Sequence, residues 1–134
     1  MSPVEVPAQV LAGLRRVFGE ASPLEQVRII EHSRLCRMHL GAVATTRRRR
    51  IYLSGSAADF FGEPLLVLHE YCHVLLQWEP GRLTRTRYLW ECARRGYWRN
   101  RFEVEARAFA RRYRALYVAA HAAAAAASPA QSPA

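Results

Sequence analysis

Two histidines four residues apart, with a glutamate beside the first, make up the pentapeptide His69-Glu70-Tyr71-Cys72-His73, an H-E-x-x-H pattern. On a helix, residues four apart share a face, so both imidazoles can point at one metal ion. Glu70 then stands where it can take a proton from a water on that ion. The surrounding sequence is apolar, with Leu65-Leu66-Val67-Leu68 before the pentapeptide and Val74-Leu75-Leu76 after it. A buried helix carrying three polar groups needs something to satisfy them, and a zinc ion would do so. The expected cofactor is therefore Zn2+, with His69 and His73 as ligands and Glu70 as general base.

The elements that must position these residues can be read from periodicity and punctuation. Val10, Leu11, Leu14, Val17 and Phe18 recur at helical spacing from Pro7 to Phe18, and Gly19 closes that helix. Ser22-Pro23 opens a second segment, and the β-branched run Val27-Arg28-Ile29-Ile30 reads as a short strand. Ser33 to Leu40 reads as a helix that packs Leu35, Cys36 and Leu40 and stops at Gly41. Ile51-Tyr52-Leu53, bounded by Ser54-Gly55-Ser56, reads as another short strand. Pro64 suits the first position of the motif helix, which ends at Pro80-Gly81 and is apolar almost all round, as a central buried helix would be. Arg82 to Arg95 reads as a helix with Leu83, Leu89 and Cys92 inward and Gly96 as its stop. A long helix starts near Asn100 with Phe102, Ala106, Phe109, Tyr113, Leu116 and Tyr117 on one stripe. From about Ala119 the chain is rich in Ala, Ser and Pro. The alanines allow the helix to continue, and the last residues are expected to be disordered.

The chain has 134 residues and a net charge of +9, and about half its residues are apolar. That length suits one domain, placed at residues 1–118, followed by a low-complexity tail at 119–134. No stretch approaches the roughly 20 apolar residues that cross a bilayer. The N-terminus shows neither a basic n-region nor an apolar h-region, so the expected address is cytoplasmic, with signal-less export left open. Cys36, Cys72 and Cys92 are widely spaced and lack C-x-x-C spacing, which argues against a disulfide framework or a four-cysteine site. Cys72 reads as a small core residue. All the positive charge is arginine. Arg47-Arg48-Arg49-Arg50 reads first as a solvated turn before a strand, with a phosphate-binding patch as its rival. No aromatic interleaving accompanies the run, so nucleic acid is not the expected partner.

A catalytic zinc site needs a third protein ligand. Glu79 lies too near the end of the motif helix to turn back. Glu91 sits mid-helix among arginines, and His121 borders the alanine tail. Glu103 and Glu105 remain, and helical phase does not separate them, because they flank the apolar stripe by similar angles on opposite sides. The segment Phe102-Glu103-Val104-Glu105-Ala106-Arg107-Ala108-Phe109-Ala110 resembles the glutamate helix of gluzincin metallopeptidases, E-x-x-[AS]-[DN], whose first Glu binds zinc. The resemblance implies Glu103 as the third ligand and Glu105 as a solvent-facing or supporting acid. Arg107 stands where the pattern has an Asp or Asn that supports a histidine ligand, so that support must come from elsewhere.

Val17-Phe18-Gly19, Val27-Arg28-Ile29, Leu40-Gly41-Ala42, Ala44-Thr45-Thr46 and Ile51-Tyr52-Leu53, followed by Leu68-His69-Glu70 through Gln77, stand in an order similar to the eCIS core domain family. These are predicted bacterial metallopeptidases found with contractile injection systems and toxin-like proteins. The block Gly96-Tyr97, Asn100 and Glu103 is similar to their close relatives, while arginines replace the usual glycine before the strand. The resemblance implies a mostly helical α+β, zincin-like domain with a buried motif helix, a packed glutamate helix and a short sheet. It implies zinc-dependent hydrolysis of a peptide or protein substrate, and a partner in an injection-system or toxin-related assembly. In such a mechanism Ile51–Leu53 would be the edge strand beside the cleft, holding an extended peptide by β-addition. Tyr97 or Tyr88 would supply an oxyanion donor. The rival readings are a degenerate zinc-binding interaction or targeting module and an arginine-rich nucleic-acid binder.

Overall fold

The computed structural model describes residues 4–34 and 44–127. The helix expected from Ser33 to Leu40 falls outside the described residues from residue 35 onward, as do its stop at Gly41, Cys36 and the tail from residue 128. The fold is α+β and mostly helical, as expected. Helix α1 (Ala8–Phe18) follows Pro7 and ends at Gly19, whose φ of 98° lies in the region that favours glycine. Arg15 and Arg16 in its last turn complement the helix dipole. A 3-10 turn (Leu24–Gln26) leads to strand β1 (Arg28–Ile30), then come β2 (Ala44–Arg47) and β3 (Arg50–Leu53). The short helix α2 (Ala57–Phe61) is capped by Ser56, which accepts from the Asp59 N–H at 3.1 Å, while Glu31 accepts from the Ala57 N–H at 2.8 Å.

The sheet order is β1-β3-β2, with β1 parallel and β2 antiparallel to β3. This corrects one expectation: Ile51–Leu53 belongs to the central strand, and the edge beside the motif helix is β2. The sequence pattern around Ala44-Thr45-Thr46 is too polar to announce a strand, and a strand's place in a sheet depends on its remote partners. Arg47 ends β2 and Arg50 begins β3, so the turn itself is only Arg48-Arg49, with Arg49 at φ 59°.

The motif helix α3 (Pro64–Cys72) has Pro64 in its first turn and runs on into a π-helical segment, His73–Trp78. Val67, Leu68, Tyr71, Cys72 and Val74 have no exposed surface, which makes this the central helix of the domain. Cys72 is a buried core thiol, pushed up to about 12 mainly by burial. Helix α4 (Arg85–Arg99) is kinked at Gly96, φ 78°, so the expected stop is a sharp bend followed by one more turn. Leu89, expected inward, is 67% exposed, and the inward side of α4 is carried by Tyr88, Glu91 and Cys92. Glu91 is buried among Arg94, Arg95 and Arg101 and accepts from the Arg101 N–H.

Helix α5 (Arg101–Ala127) crosses both α1 and α3. Asn100 caps it, accepting from the Phe102 N–H at 2.9 Å, and the helix continues through the first alanines to Ala127. Phe109 stacks on Phe18 and meets Tyr113 at a tilt, and Tyr117 lies over Gly13. A Cβ at Gly13 would sit 2.7 Å from the Tyr117 ring and 3.2 Å from its carbonyl oxygen. Gly13→Ala gains helix propensity of at most about 1 kcal/mol. Overpacking a buried ring costs about 1–3 kcal/mol, and the carbonyl cannot swing aside. The expected outcome is a net loss of roughly 1–2 kcal/mol in chemical denaturation. No helix among the described residues is long and apolar enough to cross a membrane.

Candidate metal centre

The crossing of α3 and α5 brings together His69, His73 and Glu103. His69 Nε2 lies 2.9 Å from Glu103 Oε1, His73 Nε2 lies 3.2 Å from the same oxygen, and the two Nε2 atoms are 3.1 Å apart. These three donors form a nearly equilateral triangle. A tetrahedral ion with bonds of about 2.0–2.1 Å separates its ligand atoms by about 3.3 Å, so the triangle is close to one face of such a site. The donor set, two imidazoles and one carboxylate, could bind a metal ion.

Gln77 decides which nitrogen His73 presents. The Gln77 amide Nε2 donates to the Phe102 carbonyl at 2.9 Å and to Glu105 Oε1 at 3.0 Å. Both partners can only accept when Glu105 is ionised, so Gln77 Oε1 must face His73 Nδ1, 2.6 Å away, and Nδ1 must donate. His73 Nε2 is thereby directed at Glu103 and His69. This is the histidine support whose place Arg107 had left open. It comes from the π segment that continues the motif helix, four residues after His73. Glu105 keeps a supporting role: it holds Gln77 and is itself held by Arg82 through two bonds of 3.0 and 2.8 Å. Gln77→Leu removes the acceptor while keeping the shape, and is expected to weaken metal affinity about 10–100-fold. Competition with a chromophoric chelator measures the change, and an unchanged affinity would remove Gln77 from this role.

The carboxyl of Glu103 is governed by opposing effects. Burial would raise its pKa, but hydrogen bonds from His69, His73 and Tyr88 hold it well below the usual carboxylate range. Burial acts to lower His73, and the hydrogen bond and charge of Glu103 with the charge of Glu70 outweigh it, raising His73 to about 9. Tyr88 donates to Glu103 Oε2 at 2.7 Å, so it positions the carboxylate and is not the free oxyanion donor that its sequence position allowed. Asn100 fastens this arrangement by donating to the Tyr88 carbonyl at 3.2 Å. Tyr88's role depends on the kink and the chain reversal after α4, features that no local spacing reports.

Glu70 is 6% exposed, and burial is the main cause of its raised pKa, partly opposed by His73 and His69. His69, Glu70, Ala44 of the edge strand, Tyr97, Trp98 and Arg107 line an open cleft of about 620 Å³. Tyr97 is 60% exposed there, and burial of its remainder raises its hydroxyl to about 12. Arg107 turns away from the histidines, lying 3.9 Å over the Trp98 ring and donating to the Trp98 carbonyl. The rejected candidates stay apart from the donor triangle. Glu79 pairs with Arg49 at 2.7 Å, Glu91 with its arginines, and His121 lies beside the Tyr117 ring. Comparison with family models, curated proteins and solved structures finds no match for this chain.

Proposed function

We propose that the protein is a zinc-dependent metallopeptidase of the gluzincin kind. The observation that carries this reading is the donor triangle of His69, His73 and Glu103, whose His69 lines the same cleft as Glu70. Zinc, when bound there, would supply a Lewis acid that polarises a peptide carbonyl and brings the pKa of a water toward neutrality. Glu70 would take a proton from the attacking water and pass it to the leaving amine. Burial raises its pKa, which favours the protonated form that must later return the proton. Tyr97 lines the same cleft and would donate to the developing oxyanion. The β2 edge, with Ala44 at the cleft, would hold an extended substrate by main-chain hydrogen bonds. The resemblance to the eCIS core domain family supports a protein substrate or partner in an injection-system or toxin-related assembly.

Hydrolysis of a denatured protein substrate by the purified chain tests the reading, with the chain's own cleavage followed in parallel. A chelator should abolish cleavage and added zinc should restore it. Bound zinc at one ion per chain without any hydrolysis would overturn the peptidase and leave an inert metal-binding module.

A further inference from the structure

The outer face of the sheet carries a row of like charge. The register sets Arg28 of β1 opposite Arg50 of β3, and Arg50 opposite Arg47 of β2. Ile51 and Leu53 point into the core, so alternation sends Arg50 and Tyr52 outward. Like charges directly opposed across strands destabilise a sheet. The hairpin turn adds Arg48 and Arg49, and the first residue of α4 adds Arg85. These six arginines, with Gln26 and Tyr52, line an open concavity of about 820 Å³ that has no carboxylate in its wall. Arg49 is held by Glu79 from outside the concavity, whereas Arg28, Arg48, Arg50 and Arg85 make no ion pair among the described residues.

Two further costs accompany this arrangement. Burial, and then the charge of Arg85, pull the Arg47 guanidinium below the ordinary arginine value. Helix α4 opens with Arg85 and Arg87 and has no acid in its first turn, so cations stand at the positive end of its dipole. An anion in the concavity would offset the repulsion in the row and the unfavourable helix terminus together. Arginine forks suit phosphate oxygens, which they bind in pairs.

We infer that this concavity binds a compact anion carrying two or more phosphates, held by Arg28, Arg50 and Arg47 from the sheet and by Arg85 from α4. Two strand spacings separate Arg28 from Arg47, about 10 Å, and the guanidiniums surround one hollow. A groove for single-stranded nucleic acid tracks several nucleotides along successive aromatic platforms, and here only Tyr52 is aromatic. None of the residues that line the concavity belongs to the metal centre.

Inorganic triphosphate titrated calorimetrically into the full chain tests it, with metal content measured before and after. Saturable one-to-one binding is expected, weakening as salt is raised. The double variant Arg28→Gln/Arg50→Gln should bind at least about tenfold more weakly. It should melt no lower than the parent without ligand, because the repulsive row is relieved. Removing the same charge elsewhere, at the exposed Arg16→Gln/Arg111→Gln, should leave binding within about twofold. Absence of saturable binding, or equal loss in the two double variants, would overturn the site. So would a single-stranded oligonucleotide that binds more tightly and is not displaced by triphosphate.

Discussion

Glu103→Ala should leave the protein unable to retain zinc, with affinity falling by more than the 10–100-fold that supporting residues command. Two imidazoles alone make a weak site, and Glu103 Oε1 is the one atom that both His69 and His73 already approach. The same change leaves Tyr88 and both histidines without their buried acceptor, so the metal-free protein should also lose stability, by about 3–5 kcal/mol as in other broken buried pairs. Glu105→Ala is the informative contrast. It removes a partly exposed ion pair with Arg82 and one of two acceptors for Gln77, whose bond to the Phe102 carbonyl remains. Its effect on zinc affinity should be about tenfold or less. Metal stoichiometry and chelator competition on the two variants decide the matter, and the reverse order would assign the third donor to Glu105.

Glu70→Gln should keep the metal and lose the reaction. The amide matches the carboxylate in shape but cannot accept a proton from water, and general-base contributions of this kind are about 10²–10⁴-fold in rate. Glu70 makes no part of the donor triangle, so zinc content should be unchanged. Burial already disfavours its charged form, so a neutral amide should not lower the melting temperature, and lost activity cannot then be ascribed to unfolding. Steady-state cleavage rates beside zinc content and a thermal melt provide the three readouts. Full activity in this variant would take the general-base role away from Glu70.

Much of this arrangement is legible along the chain because its cause is local. Pro64 fixes φ at a helix start, the i, i+4 spacing puts His69 and His73 on one face, and Asn100 opens the helix that carries Glu103. Apolar residues all round Pro64–Trp78 announce burial. The errors share a cause as well. The apolar character of Leu89 suggests an inward face, yet its side chain is largely exposed. Ile51-Tyr52-Leu53 is plainly a strand, but whether it is central or at the edge depends on β1, some twenty residues earlier in the chain.

The H-E-x-x-H pentapeptide, the helices that carry the donors and the strand at Ile51–Leu53 are written in the sequence alone, because hydrophobic period and backbone-restricting residues act over a few positions. Helical phase left Glu103 and Glu105 level, and only the crossing of α3 and α5 turned one toward the histidines and the other toward Gln77 and Arg82. Tertiary structure alone also made Gln77 the orienting partner of His73, set Tyr88 on Glu103, sent Arg107 to Trp98 and lined up Arg28, Arg50 and Arg47. A repeat reports which face of an element is apolar, while crossing angle and strand register, which settle what that face meets, come from packing between distant segments.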